Sequence, residues 1–197
     1  MHWILPGAPF DAMARWVENP ALGTVQVIPG AFSRAACKQI LALGAAAGSA
    51  QAGVEKGDAS YRRSRVTWLH PSVESAVFYH RVGLLLYQAN QRYCFQLSGL
   101  VEPLQIAHYG VGDRFDWHTD LGLRETAGRK LSLTLQLSDS EDYEGGDLEF
   151  IGIHAKKPAR ALGTVLIFPS FLAHRVTEVT RGVRMSVVAW AYGSSFS

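Results

Sequence analysis

The sequence predicts an α+β chain, mainly β, in which short strands build a sandwich or jelly roll behind supporting N-terminal helices. Three observations carry that expectation. Apolar residues recur at helical spacing through much of the first half, short β-rich segments separated by glycine and proline fill the second, and one segment alternates with a strict period of two. With 197 residues, 48% hydrophobic and 18% charged, the chain suits one well-packed core. A single domain over 1–197 is therefore expected, with helical support over 1–100 and the jelly-roll core over 101–193.

The elements follow in order. After Pro29-Gly30, Ser33 stands where a helix N-cap belongs. Ala36, Cys37, Ile40, Leu41 and Leu43 continue from it at helical spacing, and Gly44 or Gly48 ends the run. Gly53 to Asp58 reads as a loop. A second helix is expected from Ser72, after Pro71, toward Tyr93, with Val73, Val77, Leu84, Leu85 and Ala89 among its apolar positions. Strands are then expected over 105–109, 130–137, 147–153, 163–168, 173–179 and 184–192. Turn signals such as Gly110-Val111-Gly112, Glu144-Gly145-Gly146, Pro169-Ser170 and Arg181-Gly182 divide them. In Leu131-Ser132-Leu133-Thr134-Leu135-Gln136-Leu137 every leucine faces one side, and Ser132, Thr134 and Gln136 face the other. That polar side either meets solvent or lines a ligand cavity.

Charge and cysteine content narrow the function. The formal charge is +2, from 19 basic and 17 acidic residues, with no run of five like charges. Nothing in this balance advertises a footprint for nucleic acid or anionic lipid, so a small molecule or a protein segment is the expected partner. Cys37 and Cys94 are read as two buried free thiols rather than a disulfide framework. The N-terminus shows no basic and apolar leader pattern, and no apolar run is long enough for a bilayer, so a soluble cytoplasmic protein is expected.

Chemistry concentrates around His118-Thr119-Asp120, with His174 and Arg184 downstream. Two imidazoles and a carboxylate form the ligand set that holds non-haem Fe(II) while leaving coordination positions open. In an extended His-x-Asp the side chains share a face and can converge on one ion, whereas Trp117 and Thr119 point away. The apolar segment from Val165 to Phe171 would deliver His174 from a distant strand. By alternation Arg184 and Ser186 also share a face, and a guanidinium beside a hydroxyl suits a carboxylate. The plainer readings are a hydrogen-bonded histidine and a surface arginine, and the ordered set of four residues outweighs them. His108, on the opposite strand face from Tyr109, is read as structural; His2, His70, His80 and His154 have no partners by spacing. Trp117 and Trp190 either shape the cavity or fill the core. Gly145-Gly146 is read as a tight turn.

The segment from Gln105 to Asp120 resembles the Fe(II)- and 2-oxoglutarate-dependent, prolyl 4-hydroxylase-like dioxygenases. The runs 129–133, 136–139, 142–146, 168–171 and 174–190 are similar to the bacterial PKHD-type hydroxylase branch. The likeness is strong over about residues 100–193 and loose before that, mainly around Arg63 to Leu69. It implies a double-stranded β-helix, with His118, Asp120 and His174 as metal ligands and catalytic centre. It further implies cosubstrate binding by Tyr109, Arg184, Ser186 and Gln136, the cofactors Fe(II), 2-oxoglutarate and O2, and ascorbate as a candidate reductant. Retention of Asp120 favours hydroxylation over halogenation. Lysine is common at the Arg184 position in prolyl hydroxylases, and little room is expected between the core and Ser197 for the C-terminal extension typical of the PKHD branch.

The implied reaction hydroxylates a prolyl residue of a protein or peptide. Hydroxylation of a free amino acid or small metabolite, a metal-binding jelly roll without turnover, a carbohydrate-binding jelly roll and a nucleic-acid demethylase are the alternatives. Arg184 discriminates the oxygenase from the metal-only module. The segments Gly53 to Arg62 and Leu121 to Gly128 are candidate lids.

Overall fold

The computed structural model describes residues 18–47, 61–153 and 159–194. Strands β1 (Gln26–Ile28), β2 (Arg62–Arg63), β3 (Arg65–Leu69), β4 (Leu97–Leu100), β5 (Leu104–Tyr109), β6 (Arg114–His118) and β7 (Arg129–Gln136) are followed by β8 (Tyr143–Gly145), β9 (Leu148–Phe150), β10 (Val165–Pro169), β11 (His174–Val176), β12 (Val179–Gly182) and β13 (Arg184–Gly193). Helices α1 (Arg34–Ala46) and α2 (Ala76–Tyr93) come from the first half of the chain. The major sheet runs β1-β10-β7-β13-β5-β3, with β4 also paired to β13, and the minor sheet runs β2-β6-β11-β9. All pairings are antiparallel. This is the expected double-stranded β-helix with helical support.

The expected leucine strand decides where the core ends and the cavity begins. Leu131, Leu133, Leu135 and Leu137 are buried in a cluster with Phe78, Val82 and Leu85 of α2 and with Cys37 and Ile40 of α1. Each fully buried leucine contributes roughly 2 kcal/mol of transfer free energy. The helices thus seal one face of the major sheet. On the other face Ser132, Thr134 and Gln136 are also buried, so they do not meet solvent. They point between the two sheets.

Ser33 caps α1 as expected, accepting from the Ala36 amide at 3.2 Å. Helix α2 starts later than the sequence suggests. Ser72 and Ser75 tie themselves into a turn, with the Ser72 amide donating to Ser75 Oγ (2.8 Å) and the Ser75 amide to Ser72 Oγ (3.2 Å). Such local side-chain bonds compete with the helix, which begins only at Ala76. The expected 173–179 strand is two strands, β11 and β12, which pair with different partners. Cys37 is buried as expected, but Cys94 is exposed, because it is the left-handed C-cap of α2 with φ 61°. Both thiols are free. The loop expected over 53–58 and His2 and His154 lie outside the described residues. No described helix is long and apolar enough to cross a membrane.

Candidate metal centre and cosubstrate pocket

Cross-strand register brings the two imidazoles together. His174 of β11 is the direct partner of His118 of β6, and their ring centroids lie 4.2 Å apart. Asp120 lies two residues beyond the end of β6, so the extended segment expected to carry the whole His-x-Asp stops at its histidine. Convergence holds nonetheless. His174 Nε2 is 3.6 Å from Asp120 Oδ2, and His118 Nε2 is 4.0 Å from Asp120 Oδ1. The ligand atoms of all three residues lie within 4.8 Å of one another.

The donor chemistry fits a divalent transition metal. Each Nδ1 donates to a backbone carbonyl, His118 to Asp116 at 2.7 Å and His174 to Leu172 at 2.8 Å. Both rings are thereby oriented with the Nε2 lone pair facing the centre. The 3.6 and 4.0 Å separations lie within twice the ~2.1 Å metal–nitrogen bond typical of such sites. Burial, followed by the neighbouring His174, lowers the His118 pKa to about 4, so its ring is neutral at pH 7. For Asp120 burial opposes ionisation, but His174, His118 and the Ser132 hydroxyl outweigh it and hold the carboxyl below its ordinary value. Ser132 Oγ donates to Asp120 Oδ2 at 2.6 Å. A bound cation would meet the neutral His118 ring, the inward-facing His174 Nε2 and the Asp120 carboxylate, a donor set suited to ligation.

The triad opens onto a cavity of about 260 Å³ that also receives Tyr109, Arg184 and Ser186. Arg184 is only 1% exposed. Its Nη2 donates to Gln136 Oε1 (3.2 Å), Nη1 to Ser186 Oγ (3.4 Å), and its Nε has no partner. A buried guanidinium with two long bonds to neutral groups and an orphan N–H is prepared for an anion. Tyr109 lies beside it, the Arg184 guanidinium carbon 5.5 Å from its ring centroid. Burial pushes the Tyr109 phenol above its ordinary value, against the pull of Arg62 and Arg184, so it remains a hydroxyl donor. Gly146 makes room here: at φ +63°, its Cβ would stand 3.0 Å from Arg184 Cδ.

Every residue expected at the site is therefore in one place, with Gln136 reaching it through Arg184. His108 is outside the cavity, against Arg65 of β3. Trp190 lines the cavity, whereas Trp117 is stacked by Arg175 instead. Gly122 and Thr126, from the expected 121–128 lid, line the cavity too.

Sequence reasoning missed the opposite end. There Arg129 donates to both carboxylate oxygens of Glu102 (2.7 and 2.6 Å) and lies 3.7 Å above the Trp190 ring. Tyr192 also donates to Glu102. Burial lowers the Arg129 pKa and Glu102 more than restores it, so the net shift is upward. Arg62, from β2, and Trp68, from β3, line the same cavity. The repeated basic and aromatic residues of 61–68 were the signal available for that pair.

The family described as the 2OG-Fe(II) oxygenase superfamily matches residues 104–192. That span holds the triad, Arg184 and Tyr109. Over it, the chain is similar to the 2OG-Fe(II) oxygenase superfamily. Members of this superfamily use Fe(II), 2-oxoglutarate and O2. A PKHD-type hydroxylase of Synechococcus sp. (strain CC9902) is 38% identical over 97 residues, which are 49% of this chain and 44% of that one. A PKHD-type hydroxylase of Caulobacter sp. (strain K31) is 41% identical over 100 residues, 46% and 43% of the two chains. The chain thus spans less than half the length of these relatives. A Pseudomonas putida prolyl-4-hydroxylase shares the fold at TM-score 0.69 and 18% identity, covering 87% of this chain and 93% of its own. The viral collagen prolyl hydroxylase of Paramecium Bursaria Chlorella virus-1, in its 2OG complex, does so at 0.68 and 19%, covering 89% and 99%.

Proposed function

We propose that the chain is an Fe(II)- and 2-oxoglutarate-dependent hydroxylase whose substrate is a prolyl residue in a protein or peptide. One pairing carries the reading: a convergent His-Asp-His set stands beside a buried arginine that, among the described residues, has no carboxylate of its own. The first feature suits a ferrous ion with open positions; the second suits the distal carboxylate of 2-oxoglutarate. The prolyl assignment draws on the prolyl-4-hydroxylase structures that share the fold. In this reading residues 1–197 act as a single domain.

The residues divide the work. His118, Asp120 and His174 would hold the metal, and Ser132 fixes the Asp120 carboxylate. Arg184, steadied by Gln136 and Ser186, fixes the cosubstrate, with the Tyr109 hydroxyl as a further donor. Phe115, stacked on His118, and Phe168, edge-on to His174 at 4.9 Å, limit water around the imidazoles. The bound iron and cosubstrate would supply the oxidising chemistry: one oxygen atom of O2 enters the substrate C–H bond, the other enters succinate, and CO2 leaves.

A screen of proline-containing peptides and free amino acids tests this directly, following succinate release and a mass gain of one oxygen. A peptide that gains oxygen in step with succinate supports the reading. Turnover confined to free amino acids would replace the peptide assignment, and absence of turnover with every substrate would count against the hydroxylase.

A further inference from the structure

The cavity wall around Arg62 is rich in donors and short of free acceptors. Arg62 holds its guanidinium 4.6 Å above the Phe115 ring, and Phe115 stacks on His118 at 3.5 Å, so this cation stands one ring away from the triad. Its Nε donates to Ser64 Oγ (3.0 Å) and its Nη2 to Gln105 Oε1 (3.2 Å), both neutral. Among the described residues no carboxylate pairs with it, and its Nη1 has no acceptor. Trp190, 5% exposed, adds an indole N–H without a partner.

Acids do line this cavity, but both are engaged. Asp120 belongs to the triad and accepts from Ser132, and Glu102 is held by Arg129 and Tyr192. The contrast with Arg129 is informative, because both guanidiniums lie over an aromatic ring at the cavity wall and only one has a counter-ion. A partly desolvated guanidinium surrounded by neutral groups is complementary to an anion, and its planar fork matches a carboxylate.

We infer that the substrate presents a carboxylate to Arg62 next to the carbon that is hydroxylated, while the Trp190 indole donates to an acceptor of the same substrate. This rests on the hydroxylase reading above, in which Arg184 is reserved for 2-oxoglutarate. The carboxylate has two sources: the main-chain carboxylate of a free or C-terminal residue, or an Asp or Glu side chain adjoining the target in a peptide.

The test uses anaerobic protein loaded with Fe(II) and saturating 2-oxoglutarate, whose visible charge-transfer band is recorded first. Binding is then followed by tryptophan fluorescence, since Trp68 and Trp190 line the cavity. One probe pair is N-acetyl-L-proline against N-acetyl-L-prolinamide; the other is N-acetyl-Pro-Asp-amide against N-acetyl-Pro-Asn-amide. In at least one pair the carboxylate is expected to bind about tenfold more tightly, the size of one charge-assisted contact. Which pair shows it identifies the source. Arg62→Gln should erase the preference while leaving the band intact, and Arg62→Lys should keep part of it, which separates lost charge from lost fold. Equal binding within both pairs, a preference that survives Arg62→Gln, or a weakened 2-oxoglutarate band in that variant overturns the inference while the hydroxylase stands. Absence of the band in the native protein overturns both.

Discussion

The two ends of the cavity each carry an arginine on a strand of the major sheet, half-buried at one end and buried at the other, and the protein treats them in opposite ways. Arg129 is neutralised: Glu102 meets it with both oxygens, Tyr192 braces Glu102, and Trp190 lies beneath the guanidinium. Arg184 is more deeply buried, yet among the described residues its hydrogen bonds go to an amide oxygen and a hydroxyl, both neutral. A charge placed for stability is paired at once, because an unpaired one in low dielectric is expensive. A charge left short at a buried point of a cavity is stability given up for a ligand. The same sheet therefore contains one arginine with a carboxylate partner and one held by neutral groups, and on the proposed function the first is structural and the second binds the cosubstrate.

Replacing Arg184 is the most severe way to probe that contrast. Arg184→Gln should weaken 2-oxoglutarate binding by about 100-fold or more, read by titration of the anaerobic Fe(II) protein, because it removes one partner of a buried charge pair. Its denaturant midpoint should not fall, since an uncompensated buried charge is removed. The other end should respond with opposite sign. Glu102→Ala orphans the Arg129 guanidinium, whose side chain is 13% exposed, and should lower unfolding free energy by about 3 kcal/mol in urea. Equal stability losses in both variants would erase the distinction. Ser132→Ala is a smaller perturbation between the two ends. It frees Asp120 Oδ2 from its 2.6 Å bond and should reduce Fe(II) affinity by roughly 10–100-fold with little change in stability, measured by competition with a chelator.

What the sequence made legible follows from periodicity. The leucine strand announces both faces of the major sheet, and alternation on β13 places Arg184 with Ser186. His118 and Asp120 are close in sequence, and His174 could be paired with them because it follows an obvious apolar strand. Arg129 was illegible for a physical reason. Period two assigns it to the leucine face, but β7 and β13 shift register where Ala191 and Tyr192 oppose Leu131 and Arg129, which turns Arg129 toward the cavity. Glu102 sits just before β5, where no periodic pattern marks its direction. Arg62 lies on a strand of only two residues, too short to leave an alternating signature. Strands β2, β3 and β6 each take their place through long-range pairing rather than local pattern. The late start of α2 likewise depends on one serine–serine turn that competes with helix propensity.

Anaerobic addition of Fe(II) and then 2-oxoglutarate, followed by visible absorption, tests most directly whether the unpaired arginine and the His-Asp-His set form one site. The account predicts a weak charge-transfer band at stoichiometric iron in the native protein, none in Asp120→Ala, and in Arg184→Gln a band that appears only at far higher 2-oxoglutarate. A native protein that binds iron without developing the band, or an Arg184→Gln variant that titrates like the native one, would contradict it.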